Sequence, residues 1–207
     1  MRQLSKTEVA RRQLGTALSL FIEDADPVSV HSLACAGGEV ADALAKQTGR
    51  TAFSQHAMEC DPKLTAKHLA HLKNKYCNAF KHFADLNGKP RGDDELLNEF
   101  DDPHNDHILF IGWHDLMLAT TAMPVEAQVF QAWYFSMYPE ALDPDISTEQ
   151  IDRVFPALNL MTRSAQKGKL RAVIKKTRQN RVVMNDPKTE RRSLIIKSPH
   201  DPRKNQK

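Results

Sequence analysis

At 207 residues the chain is long enough for one well-packed domain, alone or with an appendage. Hydrophobic residues at 41% and charged residues at 27% are ordinary for a globular protein and exclude wholesale disorder. The net charge of +3 conceals a strong segregation: Arg163 to Lys207 holds 15 of the 29 basic residues and three of the 26 acids, a balance of +12 that leaves −9 on the rest.

The N-terminal third reads as helices. Ser5-Lys6-Thr7-Glu8 fits a capping box, and Ala10, Leu14, Leu18 and Phe21 follow at helical spacing. Asp24-Ala25-Asp26-Pro27 ends that helix and starts a second, from Pro27 to Gln47, which stops at Gly49. Residues 50–61 read as a loop, and a long helix is expected from Pro62 to Leu86, closed by Asn87-Gly88. The Gly-, Pro- and Asp-rich stretch Lys89 to Asp102 is expected as a surface loop with at most one helical turn.

Two apolar helices, Asp106 to Ala122 and Val125 to Tyr138, should carry the core. Its natural centre is Phe110, Ile111, Trp113, Leu116, Phe130, Trp133, Tyr134 and Phe135. A turn at Asp143-Pro144-Asp145 leads to a short helix near Ser147 to Val154, and Pro156 precedes a final basic helix that runs to about Arg181. Val182-Val183-Met184 and Leu194-Ile195-Ile196 suit a small hairpin, and Lys197 to Lys207 a disordered end. The fold class is therefore mainly α: a single helical-bundle domain over residues 1–160, with a basic helix and a partly extended, flexible tail over 161–207. Truncation near Gln166 is expected to leave a folded acidic body.

The longest apolar run, Ile108 to Ala119, is broken by His114 and Asp115 and falls short of the roughly 20 residues of a membrane helix. No signal-peptide core follows Met1. A cytoplasmic protein without membrane contact is expected. Cys35, Cys60 and Cys77 are odd in number and form no Cys-x-x-Cys pair, which suggests free thiols, two of them buried in helical apolar patterns.

The phosphate-binding, dinucleotide, nucleophile-elbow and His-Glu-x-x-His motifs are all absent, so no cofactor is expected. On the long helix, Leu69, Leu72, Tyr76, Phe80 and Phe83 form an apolar stripe. His71, Asn74, Asn78, His82 and Asp85 lie opposite. This arc suits a solvated face, a cleft or a homodimer interface. On the second helix, His31, Cys35 and Glu39 make an i, i+4 ladder that offers donors to zinc. Such ligands diverge along one helix, and the neighbouring Ala34, Gly37, Gly38 and Ala41 favour close helix packing with His31 hydrogen-bonded in the core. No metal ligands are assigned. In Asp101-Asp102-Pro103-His104-Asn105-Asp106-His107, Asp102 or Asn105 reads as the N-cap of the next helix, with Asp106 at its positive end. In the last helix Arg163, Lys167, Arg171, Lys175, Arg178 and Arg181 project to one side, with Leu158, Met161, Ala165 and Ala172 opposite. That basic side could follow a phosphate backbone or dock on the acidic body.

Asp26-Pro27-Val28-Ser29-Val30-His31-Ser32-Leu33-Ala34, with Asn78-Ala79-Phe80-Lys81-His82 further on, resembles a family of uncharacterised bacterial helical proteins; the likeness covers roughly residues 10 to 140 and implies no activity. More distantly, the layout is similar to HEPN domains, some of which are metal-independent ribonucleases. Their closely spaced Arg and His are not matched here, since Lys73-Asn74 stands nine positions before His82. The leading expectation is a non-enzymatic binding or regulatory protein whose basic C-terminal segment contacts nucleic acid or an acidic partner. The alternative is a HEPN-like ribonuclease using His82, Asn78 and Lys75 or Lys81.

Overall fold

The computed structural model describes residues 4–60, 63, 65–142 and 147–196. The chain is mainly helical. Helix α1 spans Lys6–Ile22, α2 Pro27–Gln47, α3 Phe53–Cys60, α4 Ala66–Lys81, α5 Asp94–Asn98, α6 His104–Thr120, α7 Val125–Met137, α8 Glu149–Val154, α9 Arg163–Thr177 and α10 Arg181–Asn185. Strands β1, Met123–Pro124, and β2, Thr189–Glu190, pair in parallel. No helix among the described residues is long and apolar enough to cross a membrane.

The first two helices start where the sequence expects, because their caps are local. Ser5 Oγ accepts the Glu8 amide at 3.2 Å, and the Asp26 carboxylate accepts the amides of Val28 and Ser29. Glycines bring α1, α2 and α6 unusually close. A Cβ on Gly37 would lie 2.8 Å from Leu14 Cγ and 3.2 Å from the Ala10 carbonyl oxygen. One on Gly112 would lie 2.6 Å from Leu14 Cδ2 and 3.4 Å from Gly38 Cα. The expected core residues are in place: Phe110, Trp113, Leu116, Phe130, Trp133 and Tyr134 are buried, with Ile111 and Phe135 packed beside them. Phe130 and Trp133 stack, and Phe21 meets both edge-on.

Several expectations are corrected. Residues 53–60 are helical, because the carboxylate of Asp115 on α6 accepts the Phe53 amide at 2.8 Å, a cap supplied from 62 positions away. Helix α4 begins after Thr65, whose hydroxyl accepts the His68 amide, and ends at Lys81 rather than Leu86. Phe83, placed on the core stripe, is 84% exposed beyond that end. The expected hairpin does not form. Asn180 caps Val182 at the start of α10, and the extended piece that follows pairs with β1 instead. Pro62, the side chain of Leu72, the Asp143-Pro144-Asp145 turn and Lys197 to Lys207 lie outside the described residues.

The basic segment is docked rather than appended. Leu170 and Ile174 of α9 are buried, while Ala165 and Ala172, expected on its apolar side, are exposed. The face that packs inward is the one carrying Arg163 and Lys167. Beyond α10, Leu194 is buried, and Arg11 of α1 donates to the carbonyls of Ser193 and Leu194. Part of the charge segregation is satisfied within one chain.

Candidate functional site

Two adjoining cavities lie between α2, α3, α4 and α6. One, of about 350 Å³, is lined among others by Cys35, Asp42, Cys77, Asn78 and Lys81. The other, of about 420 Å³, is walled by Phe53, Tyr76 and Tyr134, with His31, His104 and His107 around it. Ser54, Leu69, Lys73, Ile108 and Ile111 line both, so the two form one bilobed cleft with a polar and an apolar lobe.

The amphipathic pattern of α4 explains the walls. Leu69, Lys73, Tyr76 and Cys77 recur at helical spacing and face α2 and α6, while His68 and His71 are exposed. The polar tips of the apolar lobe are tied to one another. Tyr134 Oη lies 2.8 Å from His107 Nδ1, and Tyr76 Oη 3.4 Å from His104 Nε2. Burial lowers the His107 pKa and raises that of Tyr134, so both groups are neutral near pH 7. Lys73 stands at the junction of the lobes, 3.6 Å from Asp42, whose second oxygen holds Lys46 at 2.7 Å.

His31 sits deeper, 4% exposed, with Tyr76, Phe80 and Phe100 edge-on around its ring. Its Nδ1 lies 3.0 Å from Asn105 Oδ1. The Asn105 amide nitrogen donates to the Pro27 carbonyl, so its oxygen is the acceptor and His31 Nδ1 carries the proton. Desolvation holds the imidazole neutral, with its pKa lowered to about 4 against the opposing Asn105 bond. Asn105 is thus a core partner of His31, as expected for His31 but not for Asn105, which was read as a cap.

Cys35 and Cys77 are joined as a disulfide, which corrects the expectation of free thiols. The two are 42 residues apart, and their meeting follows from the crossing of α4 over α2. His31 lies beside them: its ligand nitrogen and the two sulfurs are all within 4.8 Å of one another. Glu39, the third rung of the ladder on α2, is exposed.

Of the residues proposed for catalysis, Lys75 and Asn78 border one open pocket beside α4 with His71, Asn74 and Asp93, and His82 is not among its lining. Lys75 pairs with Glu99 at 3.2 Å and covers the Tyr76 ring. Asn78 is exposed at the rim of the polar lobe, and His82 is an exposed residue at the C-terminal end of α4. His82, His107 and His114 likewise have separate surroundings: His114 lies against Asp115, Phe53 and Phe110.

Four of the six residues proposed to contact nucleic acid bind the body of the chain. Arg163 spans the Asp106 carboxylate at 2.5 and 3.0 Å and reaches Asp102 at 2.6 Å. Lys167, 1% exposed, bridges Asp24 and Asp102, each at 2.8 Å. Arg171 donates to the Ile22 carbonyl at 2.6 Å, and Arg178 Nε to Glu126 at 2.9 Å. Asp102, offered as a cap, and Asp106, in the first turn of α6 as expected, therefore serve as counter-charges. Lys167 and Arg163 hold the Asp102 pKa down, against burial, whereas complete burial pushes that of Asp106 up against Arg163 and Tyr138. Lys175 and Arg181 remain exposed; among the described residues they, with Lys176 and Lys188, have no carboxylate partner.

Comparison with protein-family models, with curated proteins and with solved structures finds no match to this chain.

Proposed function

We propose that the protein is a binding protein for a small, largely apolar molecule with one acidic head group. The observation that carries this reading is the bilobed cleft: an apolar lobe of about 420 Å³, walled by Phe53, Leu69, Tyr76, Ile108, Ile111 and Tyr134, opens beside Lys73. A concave, mainly apolar site with a few convergent polar groups is the common form of a small-molecule site, and this volume falls within the usual range for one. The apolar body of the ligand would lie against the ring and aliphatic walls, and its acidic head against the Lys73 ammonium. The test is a fluorescence titration with anilinonaphthalene sulfonate, an apolar anion of suitable size. Saturable binding of one molecule per chain is expected, with at least tenfold loss in Ile111→Trp, which fills the lobe. No saturable binding, or equal binding by the filled variant, would refute the reading.

A second reading keeps the nucleic-acid expectation on Lys175 and Arg181 alone of the six, and joins Lys176 and Lys188 to them. It is favoured by the exposed, uncompensated Lys175, Lys176, Arg181 and Lys188. Contacts of this kind are electrostatic and indifferent to base sequence. The test is RNA affinity as a function of salt, expected to fall steeply; no binding at low salt would end it.

A further inference from the structure

We propose that His31, Cys35 and Cys77 form a thiophilic metal site in the reduced protein, suited to zinc, and that oxidation to the Cys35–Cys77 disulfide expels the ion. The three side chains are buried, and their ligand atoms lie within 4.8 Å of one another. Ligands of tetrahedral zinc, with bonds of about 2.0–2.3 Å, stand roughly 3.3–3.8 Å apart. Binding an ion therefore requires the two sulfurs, about 2 Å apart in the disulfide, to part by roughly 1.7 Å on reduction, and the imidazole to close by about an ångström at most. His31 and Cys35 are one turn apart on α2, and Cys77 comes from α4, with the two cysteine Cα atoms 6.0 Å apart. A second helix thus supplies the third ligand that a single-helix ladder directs away from the first two.

The surroundings of His31 are those of a metal-binding imidazole. Its Nδ1 proton is given to Asn105, which is itself fixed by the Pro27 carbonyl, so the Nε2 lone pair is left to bind. A hydrogen-bonded partner of this kind fixes the tautomer and ring orientation of a ligating histidine. Both cysteines also line the polar lobe of the cleft, so the fourth position of the ion is open to water or a ligand from that side. Two protein thiolates, one imidazole and one open position form a donor set used at catalytic zinc sites.

The same two sulfurs cannot hold the ion and each other. With a peroxide as oxidant, the thiolates give up two electrons and form the S–S bond. The peroxide O–O bond breaks, taking those electrons and two protons from solvent to leave water and an alcohol, or two waters from hydrogen peroxide. The zinc ion departs hydrated. In a reducing compartment the dithiol form prevails, and the metal form with it.

The experiment uses the full chain, reduced with a phosphine, freed of reductant without oxygen, and titrated with Co²⁺. One Co²⁺ per chain is expected, with a near-ultraviolet thiolate-to-cobalt charge-transfer band, and none in the disulfide form. Cys60→Ser should retain the band, Cys77→Ser should lose it, and Asn105→Ala should weaken affinity about 10- to 100-fold. One equivalent of hydrogen peroxide added to the Zn²⁺-loaded protein should release one Zn²⁺ per chain as two thiols disappear. Reduced wild-type protein that takes up no stoichiometric Co²⁺, or takes it up without the band, would overturn the site. Zinc retained after loss of both thiols would overturn the exchange.

Discussion

Replacing Arg163 by Ala should destabilise the protein far more than a surface charge would. The guanidinium makes two hydrogen bonds to Asp106, whose side chain is fully buried, and a third to Asp102. It also lies 5.2 Å from the Phe21 ring centre and 5.3 Å from that of Trp133. Removing one partner of a buried ion pair strands the other charge, at a cost of about 3–5 kcal/mol. For a chain of this size each kcal/mol moves Tm by about 2–4 °C, so a fall of roughly 6–20 °C is expected. Arg153→Ala is the control, since Arg153 and Glu149 are 77% and 76% exposed and 3.4 Å apart. Its loss should cost less than about 0.5 kcal/mol. Urea denaturation of both variants, with the Arg163→Ala/Asp106→Ala double variant, supplies the comparison. The double variant should cost less than the sum of the single ones, because no buried carboxylate is left alone. If Arg163→Ala unfolds with Arg153→Ala, the docking of α9 contributes nothing, and the basic segment is an appendage after all.

Truncation after Gln166 should yield an insoluble or molten product, because it removes Leu170, Ile174 and the cation that neutralises Asp24 and Asp102; a cooperative urea transition would contradict this. Gly15→Ala should cost about 1–3 kcal/mol by urea denaturation despite better helix propensity, since the new Cβ would lie 2.4 Å from the Leu194 carbonyl oxygen; unchanged stability would separate the C-terminal segment from α1. In metal-free, disulfide-bonded protein, stability should fall as pH drops from about 6.5 towards 4. His31 is neutral in the fold and protonates more readily when unfolded, so the unfolded state binds the extra proton, a loss of up to about 3 kcal/mol. Urea midpoints across that range should flatten in His31→Gln, and an unaltered pH profile there would assign the effect elsewhere. Lys175→Ala, Lys176→Ala and Arg181→Ala together should leave stability within about 0.5 kcal/mol while lowering the salt slope of any RNA binding by about one per cation.

Elements with local signals were legible in the sequence. Helices α1 and α2 carry their own N-caps in Ser5 and Asp26, and the aromatic runs of α6 and α7 are buried as their density implies. The small residues of α2 correctly announced close packing, which Gly37 realises against Leu14. What was missed depends on contacts distant in sequence. The cap of α3 comes from Asp115, the partner of Cys35 from another helix, and the partner of β2 from β1, 66 positions earlier. The inward turn of the basic helix realises one of the two alternatives its basic side offered, docking on the acidic body, but against its apolar side. Helical projection places Arg163 and Lys167 opposite Ala165 and Ala172, and the usual preference sends cations to water. Here the carboxylates of Asp24, Asp102 and Asp106 reverse that preference, and nothing near Arg163 in the chain announces them. Of the cleft, the polar arc of Asn74 and Asn78 and the apolar stripe of Leu69 and Tyr76 on α4 were legible; the apolar lobe itself requires α2, α3, α4, α6 and α7 together.

The binding cleft is tested most directly by a ¹H–¹⁵N NMR titration of the full chain with anilinonaphthalene sulfonate, which reports where the probe sits as well as whether it binds. Saturable shifts centred on Leu69, Lys73, Tyr76, Ile108, Ile111 and Tyr134, and absent from Ile111→Trp, are the expected result. Shifts scattered over the surface, or centred on the exposed cations of α9 and α10, would contradict it.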